Sequence, residues 1–267
     1  MTVTPTQFER AAALEASQQR LEQLQRMSYR ELRLLLTGDP GEAAVWVRSA
    51  AEYGMPAAQL RLGAMLLEGN GVARDERAAF LWFVRAADQG DAQAMNMAGR
   101  CHENGWGVAV DLELAAERYR SSAYAGHDWG EYNFGNMLFD GHGIVRDCEQ
   151  ALFWYLRAAA QGHGRAMNLA GRCFEEGWGC RRSPADAAHW YRRSAESGYF
   201  RGQFNYAVLL AEQGQGVLAA EWFWQAAIAG DIAMRRAIVA VLAGASDPAL
   251  VGIRERLAAD GKASACG

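Results

Sequence analysis

A glycine recurs at the end of similar segments along the chain, and its spacing constrains the fold more than any other feature. The segments SAAEYG, RAADQG, SAYAG, RAAAQG, SAESG and AAIAG end at Gly54, Gly90, Gly126, Gly162, Gly198 and Gly230. The first four intervals are 36 residues each and the next is 32. A period of this length predicts an array of structural repeats, in which neighbouring units share one continuous core.

Each repeat contains two helical patterns separated by a glycine loop. From Met55 onward, apolar residues follow helical spacing up to the segment EGNGV, and a second helix is predicted to begin after Asp75. Asp is a favoured N-cap, and Gly90 suits the left-handed residue that follows a helix. The cap recurs at Asp111, Asp147 and Ser183. Each repeat is therefore predicted to form two antiparallel helices.

Two further columns concern the packing of these helices. Tryptophan stands eight residues before most closing glycines, and we predict that this column is core. Its members are Trp46, Trp82, Trp154, Trp190 and Trp222, with Arg118 as the exception. A glycine inside a helix costs about 1 kcal/mol relative to alanine, so recurring glycines there predict close approach of two helices. These glycines are Gly63, Gly99, Gly135 and Gly171.

The whole repeat can be compared with a known family. It reads A-x-x-x-L-G-x-x-hydrophobic, then a G-x-G loop, then D-x-x-x-A-x-x-W-Y-x-x-A-A-x-x-G, and stands here as AAQLRLGAMLLEGNGVARDERAAFLWFVRAADQG. This pattern resembles the Sel1-like repeat, a relative of the tetratricopeptide repeat. The resemblance is strong from Met55 to Gly198 and weakens through Gly230. It implies an all-α, right-handed α/α superhelical solenoid that serves as an adaptor or scaffold for partner proteins.

The predicted organisation is five repeats between helical caps. We expect repeats at 55–90, 91–126, 127–162, 163–198 and 199–230, after N-terminal capping helices over 1–54. C-terminal capping helices are expected over 231–261 and a disordered tail over 262–267. The polar helix from Phe8 to Met27 carries Leu14, Leu21 and Leu24 on one side. We favour docking of this stripe on the first repeat over a dimerising seam, because heptad spacing lasts little more than one heptad.

Charge and cysteine content narrow the partners and the compartment. A formal charge of −4 gives no basic surplus, so nucleic acid is not expected as a partner. Five cysteines without a CxxC pair indicate a reducing compartment. No signal peptide or membrane span is recognised, so a cytoplasmic protein without a membrane partner is expected. The dominance of arginine, with Lys262 the only lysine, favours a bacterial genome rich in G and C.

No cofactor or metal is expected. Cys101 and His102 are adjacent and point to different sides of a helix, and the other histidines lack ligand spacing. Cys101 and Cys173 share a column with methionines at 65 and 137, which predicts buried structural thiols.

An intrinsic enzyme is not expected either. Glu103, Glu175 and Glu176 could suggest a two-carboxylate hydrolase, but their spacing places them on successive helices, each beside an arginine. The G-x-G loops lack the Lys and Ser or Thr of a phosphate-binding loop and are predicted to be turns between helices.

The functional hypothesis rests on one stripe of the first helices, at positions 3, 6, 10 and 13 of each repeat. In proteins that resemble this family, the first helices line the concave side. The candidate peptide-binding residues are Gln93, Asn96, Arg100, Trp129, Tyr132, Asn136, Arg165, Asn168, Arg172 and Phe204. Asparagine can bond an extended backbone, arginine a carboxylate, and aromatic rings can anchor apolar groups. The predicted partner is an extended protein segment with an acidic side chain or a free C-terminus.

Two alternatives to this stripe remain open from the sequence. The pairs Arg100–Glu103 and Arg172–Glu175 could be surface ion pairs worth only about 0.2 to 0.5 kcal/mol. That interpretation leaves Trp129, Tyr132 and Phe139 exposed without a reason. The loop tryptophans Trp106 and Trp178 form a second candidate surface, although packing of each indole on the next repeat is favoured.

The rival class of function is self-assembly, as a homodimer or as a regulatory subunit of an enzyme complex. In that case the repeat ends or the helix from Phe8 to Met27 would pair with another copy.

Overall fold

The computed structural model describes residues 15–263 except 17, 21 and 25, and the regular elements in this part of the chain are helices without a β-strand. Helical residues between 15 and 26 are followed by α1 (Tyr29–Thr37), α2 (Pro40–Glu52), α3 (Pro56–Glu68), α4 (Glu76–Ala87), α5 (Ala92–Asn104), α6 (Leu112–Tyr124), α7 (Asp128–Asp140), α8 (Cys148–Ala160), α9 (Gly164–Glu176), α10 (Pro184–Glu196), α11 (Phe200–Glu212), α12 (Gly216–Ala229), α13 (Ile232–Val241) and α14 (Pro248–Ala263). The all-α class is confirmed.

The chain divides into two compact units. Unit 1 consists of the residues up to 130 together with 142–144, and unit 2 of residues 131–141 and 145 onward. Within unit 1, α1 to α6 pack each on the next. Within unit 2, α8 to α12 do the same, and α13 and α14 pack on α12. Consecutive helix pairs therefore stack, as the repeat pattern predicts.

The predicted helix ends are confirmed by their hydrogen bonds. The side chains of Asp75, Asp111 and Asp147 accept from the backbone N–H three residues on, which caps α4, α6 and α8. Ser183 caps α10 in the same way, ahead of a proline at the first helical position. Gly90 has φ = 92°, in the left-handed region expected of a residue after a helix.

The core lies one residue away from the predicted tryptophan column. The residues that follow this column are exposed by at most 4 %, and they are Val47, Phe83, Tyr119, Tyr155, Tyr191 and Phe223. Of the tryptophans only Trp154 is buried, and the other four are partly buried. The prediction of a core position is confirmed for Trp154, whereas Trp82, Trp190 and Trp222 are only partly buried and pack against the core clusters. Neighbouring helical positions lie about 100° apart, so the tryptophan lies at the rim of the core.

The glycines inside the first helices provide space for these core rings. An ideally placed Cβ would lie 2.5 Å from the Phe83 ring at position 63, and 2.8 Å from the Tyr119 ring at position 99. Gly135 and Gly171 stand in the same relation to Tyr155 and Tyr191. The predicted close approach is confirmed, and its cause is an aromatic ring packed against the bare helix backbone.

The G-x-G loops hold each repeat against the preceding one. A Cβ at Gly71 would collide with the carbonyl of Pro40, and one at Gly107 with the carbonyl of Glu76. Pro40 and Glu76 are each the first residue of a second helix. The same contact joins Gly143 to Leu112 and Gly179 to Cys148. The loops are therefore turns between helices, as predicted, and only a residue without a side chain fits there.

The junctions between successive repeats alternate between two kinds from Ala86 to Gly202, whereas the first junction, at Ala50 and Ala58, has the same alanines as the second. In the first kind a buried alanine near the end of one repeat packs on an alanine at the start of the next; the pairs are Ala86 with Ala94, and Ala158 with Ala166. In the second kind a buried serine replaces the first alanine and a glycine the second; the pairs are Ser122 with Gly130, and Ser194 with Gly202. The serine hydroxyls donate to the carbonyls of Ala92 and Gly164 at 2.6 and 2.7 Å. This alternation matches an offset of 72 residues.

Both ends of the chain differ in detail from the prediction. Lys262 and Ala263 belong to α14, so the predicted tail from 262 begins too early, and residues 264–267 lie outside the described part. In the N-terminal stripe, Leu14 and Leu21 also lie outside the described residues. Leu24 is partly buried and lines an apolar cavity of unit 1. Whether the whole stripe docks on the first repeat stays a prediction.

Candidate peptide-binding surface

The first helices of unit 2 border a cavity of about 290 Å³ that contains half of the predicted binding residues. These residues are Tyr132, Arg165, Asn168, Arg172 and Phe204. The lining also includes Leu169, Tyr199, Arg201, Asn205 and Met234. These side chains come from α7, α9, α11 and α13, and Tyr199 lies just before α11. No acidic residue is among these ten, so the cavity has a positive lining.

Each arginine of the cavity is stacked on an aromatic ring. The guanidinium carbon of Arg172 lies 5.1 Å from the centre of the Trp178 ring, and that of Arg165 lies 5.9 Å from the Tyr199 ring. Arg201 stands 5.7 Å from Phe200. A stacked guanidinium keeps its N–H groups available at its edge, in a planar fork that matches an oxyanion. Stacking thus orients these cations without using their donors.

The charge of two of these arginines is not neutralised within the described residues. Neither Arg172 nor Arg201 is in an ion pair in that part of the chain. Both side chains are exposed. The cavity therefore presents cations to solvent that an anionic group of a partner could approach.

Two asparagines of the predicted stripe are buried. Asn96 and Asn168 are only 5 % exposed, which leaves little of either amide for an extended backbone, and their predicted role stays a prediction. The Asn168 Oδ1 atom accepts a 2.8 Å hydrogen bond from Asn205 Nδ2. Asn168, at position 6 of its repeat, thus turns toward the neighbouring helix. Asn205, at position 7 of the next repeat, is the amide that remains partly exposed in the cavity.

Asn136 is also engaged within the fold. Its Oδ1 atom accepts a 2.9 Å hydrogen bond from the buried hydroxyl of Tyr155. In the repeats before and after, the corresponding tyrosine donates instead to a glutamate, Glu103 or Glu175. Phe139 stands at that glutamate position here, so Tyr155 turns to Asn136. Asn136 therefore stabilises the helix pair and does not face the cavity lining.

The same tyrosines exclude the interpretation of surface Arg–Glu pairs. Glu103 accepts from the Tyr119 hydroxyl at 2.5 Å and Glu175 from that of Tyr191 at 2.6 Å. Burial, together with the bound carboxylate, raises the pKa of both hydroxyls. The carboxylates of Glu103 and Glu175 are acceptors for core tyrosines.

The predicted residues of unit 1 are placed differently. Gln93 and Arg100 are exposed, and Trp129 exposes 41 % of its surface. The Arg100 guanidinium carbon lies 4.9 Å from the ring centre of Trp106, the same arrangement as Arg172 on Trp178. That these residues act together with those of unit 2 stays a prediction.

The loop tryptophans are partly buried. Trp178 packs on Phe139 of the preceding repeat, with 5.1 Å between the ring centres, so the prediction of packing on the next repeat is wrong for it. Trp106 packs against the buried cluster that includes Phe83 and Cys101. Their exposed area is therefore reduced both by these contacts and by the arginines above them.

Two cysteines and a histidine considered as reactive or metal-binding groups are buried. Cys101 and Cys173 are buried, as predicted, and burial raises the pKa of each thiol to about 12. His102 is buried with its ring edge on Phe80. Over the described ranges no cluster of three or more His, Cys, Asp or Glu side chains could hold a metal ion. No helix of the described residues is long and apolar enough to cross a membrane.

The chain belongs to the Sel1 repeat family. The family model matches residues 56–91, 92–127, 130–163 and 164–199, which is more than half of the chain. Of the predicted fifth repeat, 199–230, all but its first residue is outside these matches, although the repeat forms the helix pair α11–α12. No curated protein sequence matches the chain.

Solved structures with the same fold come from several bacteria. One is c5321, a protective antigen of uropathogenic Escherichia coli, with 28 % identity and a TM-score of 0.71; the match covers 93 % of this chain but only 57 % of that protein. A Sel1 repeat protein from Oxalobacter formigenes is 27 % identical with a TM-score of 0.67, covering 77 % of this chain and 89 % of that one. The immunity protein PA5088 from Pseudomonas aeruginosa, 18 % identical with a TM-score of 0.50 over 77 % of this chain and 82 % of that one, shares the fold alone.

Proposed function

We propose that the protein is a non-catalytic adaptor that binds an extended, acidic segment of a partner protein on the first helices of its repeats. Sel1 repeats generally mediate protein–protein interaction. The observation that carries the finer proposal is the cavity of unit 2, where Arg165, Arg172 and Arg201 come together beside the rings of Tyr132 and Phe204. Arginine forks recognise carboxylates, and partly exposed rings supply apolar anchors.

The surroundings of the cavity support an extended ligand. Residues of three successive first helices border it, so a bound segment crosses the helices rather than lying on one of them. Asn205 adds an amide that can bond a peptide backbone. A bacterial, cytoplasmic protein and a possible homodimer, predicted from sequence, remain predictions.

Photo-crosslinking tests the adaptor role and its location together. A benzoyl-phenylalanine replaces Phe204 in the cavity, and in a matched control it replaces Phe153, an aromatic residue of α8 that is 50 % exposed. After irradiation in native lysate, we expect a protein crosslinked from position 204 and not from position 153. An Arg172→Glu, Arg201→Glu variant should abolish that crosslink while retaining its helical circular dichroism.

The other outcomes are equally informative. Crosslinks only from position 153 would move the interaction to the second helices and contradict the proposed surface. Crosslinks only between copies of the chain would favour the self-assembling subunit, and light scattering over a concentration series would then show a dimer.

A further inference from the structure

The repeats contain an internal control for the cavity of unit 2. The helix pair α5–α6 of unit 1 lies 72 residues before the pair α9–α10 and carries the same local arrangement. Arg100 stacks on Trp106 as Arg172 stacks on Trp178. A glutamate three residues beyond each arginine accepts from a core tyrosine in both. The stacked arginine by itself is thus a feature shared by two repeats.

The other two arginines are specific to unit 2. Seventy-two residues before Arg165 and Arg201 the chain carries Gln93 and Trp129, which have no charge. Arg165 and Arg201 are exposed and stand at the second residue of α9 and α11. The fold of a repeat therefore does not require a cation at these positions. Their addition around Arg172 concentrates three positive charges at one cavity.

The start of α11 adds to this positive potential. Tyr199 precedes the helix without a side-chain hydrogen bond to its first turn. In contrast, Asp91 and His163 cap α5 and α9 through their side chains. The backbone N–H groups at a helix start carry partial positive charge and favour anions. The partial positive charge at the start of α11 therefore lies at the same end of that helix as Arg201 and Tyr199, and both of these side chains line the cavity.

We propose that this cavity binds a dianionic phosphate group carried on an aromatic or otherwise apolar side chain of the partner segment. The inference rests on the proposed function, because the partner supplies the group. Arg172 and Arg201, neither of which is in an ion pair within the described residues, together exceed what one carboxylate can neutralise, whereas a phosphate monoester carries up to two charges and three acceptor oxygens. The rings of Tyr132 and Phe204 receive the carrier of the phosphate. The volume of about 290 Å³ leaves room for both parts.

Small probes test the inference without a known partner. Phenyl phosphate, inorganic phosphate and benzoate are titrated into the full chain, and binding is followed by the NMR signals of the arginine Nε–H groups. We expect phenyl phosphate to bind at least about tenfold more tightly than benzoate or inorganic phosphate. Arg172→Ala and Arg201→Ala should each weaken it by about tenfold or more. Arg181→Ala, at an exposed arginine just before α10 that lines no site described above, is the control and should leave binding unchanged.

Each remaining outcome overturns the inference in a distinct way. Equal binding of benzoate would assign the cavity to carboxylates, which contradicts the phosphate but leaves the acidic-segment adaptor intact. If inorganic phosphate bound as tightly as phenyl phosphate, the phosphate group alone would account for binding, and the rings of Tyr132 and Phe204 would make no contact with an apolar group. No binding of any probe, or binding that survives in both Arg172→Ala and Arg201→Ala, would exclude this cavity as an anion site, and the crosslinking experiment would still decide the adaptor role.

Discussion

The ring of Tyr191 lies directly over Gly171, and an ideally placed Cβ at position 171 would be 2.6 Å from the Cδ1 atom of that ring. Tyr191 is 1 % exposed and its hydroxyl is fixed by Glu175, so the ring cannot move aside. We expect Gly171→Ala to lower the free energy of unfolding by about 1 to 2 kcal/mol, because overpacking outweighs the gain of about 1 kcal/mol in helix propensity.

Gly252 provides the matched control for this prediction. It lies inside α14 with open space around its Cα, so Gly252→Ala should stabilise the protein by up to about 1 kcal/mol. Urea unfolding of the two variants measures both signs. A stabilising Gly171→Ala would contradict the prediction, because it would mean that the Tyr191 ring can repack around the added methyl group.

The tyrosine hydroxyls allow two kinds of hydrogen bond to be compared. Tyr191 donates to the carboxylate of Glu175 and Tyr155 to the neutral amide of Asn136. Because bonds to charged acceptors are stronger, Tyr191→Phe should cost about 1.5 to 3 kcal/mol and Tyr155→Phe about 0.5 to 1.5 kcal/mol. Chemical denaturation provides both values, and a double-mutant cycle with Glu175→Gln isolates the charged bond. Equal losses would argue against the charge as the cause.

A buried carboxylate makes unit 2 sensitive to the loss of one arginine. Glu131 is fully buried, and its oxygens lie 3.0 Å from Arg157 Nη2 and 2.8 Å from Gln161 Nε2. Arg157→Ala removes the positive charge beside Glu131, and we expect the free energy of unfolding to fall by about 2 to 3 kcal/mol. This loss is smaller than the loss expected for a fully buried ion pair, because Arg157 is partly exposed to solvent.

Removing the charge as well should recover part of that loss. Gln59, 72 residues earlier, accepts from Gln89 at 2.8 Å, which shows that a neutral pair fits this position. The double variant Glu131→Gln, Arg157→Ala should therefore be more stable than Arg157→Ala when both are unfolded in urea. A double variant that is less stable would mean that the packing of Arg157, and not its charge, is what matters.

Two histidines should make stability fall as the solution becomes acidic. Burial lowers the pKa of His102 and of His127 below the ordinary value of 6.5. The unfolded chain then binds protons more readily, so their contribution is fully present above pH 6.5 and is lost as the pH falls through the lower folded-state values. We expect the urea midpoint to be lower at pH 5.5 than at pH 7.5.

His127 also caps α7 by accepting from Gly130 at 3.2 Å. His127→Asn keeps a capping acceptor and removes the titration, so it should reduce the difference between the two pH values. An unchanged pH dependence in this variant would assign the effect to other groups.

The cysteines should react in two classes. Cys101 and Cys173 have a pKa near 12 and are buried, whereas Cys148 and Cys180 are partly exposed. Iodoacetamide, with mass spectrometry to locate the adducts, should label Cys148 and Cys180 in the native protein, and Cys101 and Cys173 only in denaturant. Native labelling of Cys101 at a similar rate would show that its helix pair opens readily.

The sequence predicts those features that depend on neighbouring residues. Asp75 caps its helix and Gly90 follows the next one because both effects act within one turn. The choice between Trp82 and Phe83 as the core residue was not predictable in this way, since both are aromatic and only the helix orientation separates them.

The site depends on longer-range packing than the helices do. That Arg165, Arg172 and Phe204 line one cavity follows the predicted stripe, because the same repeat positions recur on successive helices. The burial of Asn168 depends on Asn205 in the next helix, and Tyr199 lines the cavity from just before that helix. Neither relation is visible in the spacing within one repeat.

The alternating junctions have a consequence for how such a gene can grow or shrink. Ser122 requires a glycine opposite it, because a Cβ at Gly130 would collide with its hydroxyl, whereas the intervening junction pairs two alanines. Loss of the single repeat 127–162 would bring Ser122 against Ala166 and create that collision. Removal of repeats 91–162 together would instead bring Ala86 against Ala166 and keep an alanine pair, and removal of 127–198 would bring Ser122 against Gly202 and keep a serine–glycine pair. Between residues 91 and 198 the heritable module is therefore a block of two repeats, and unequal recombination there is compatible with the packing in steps of two.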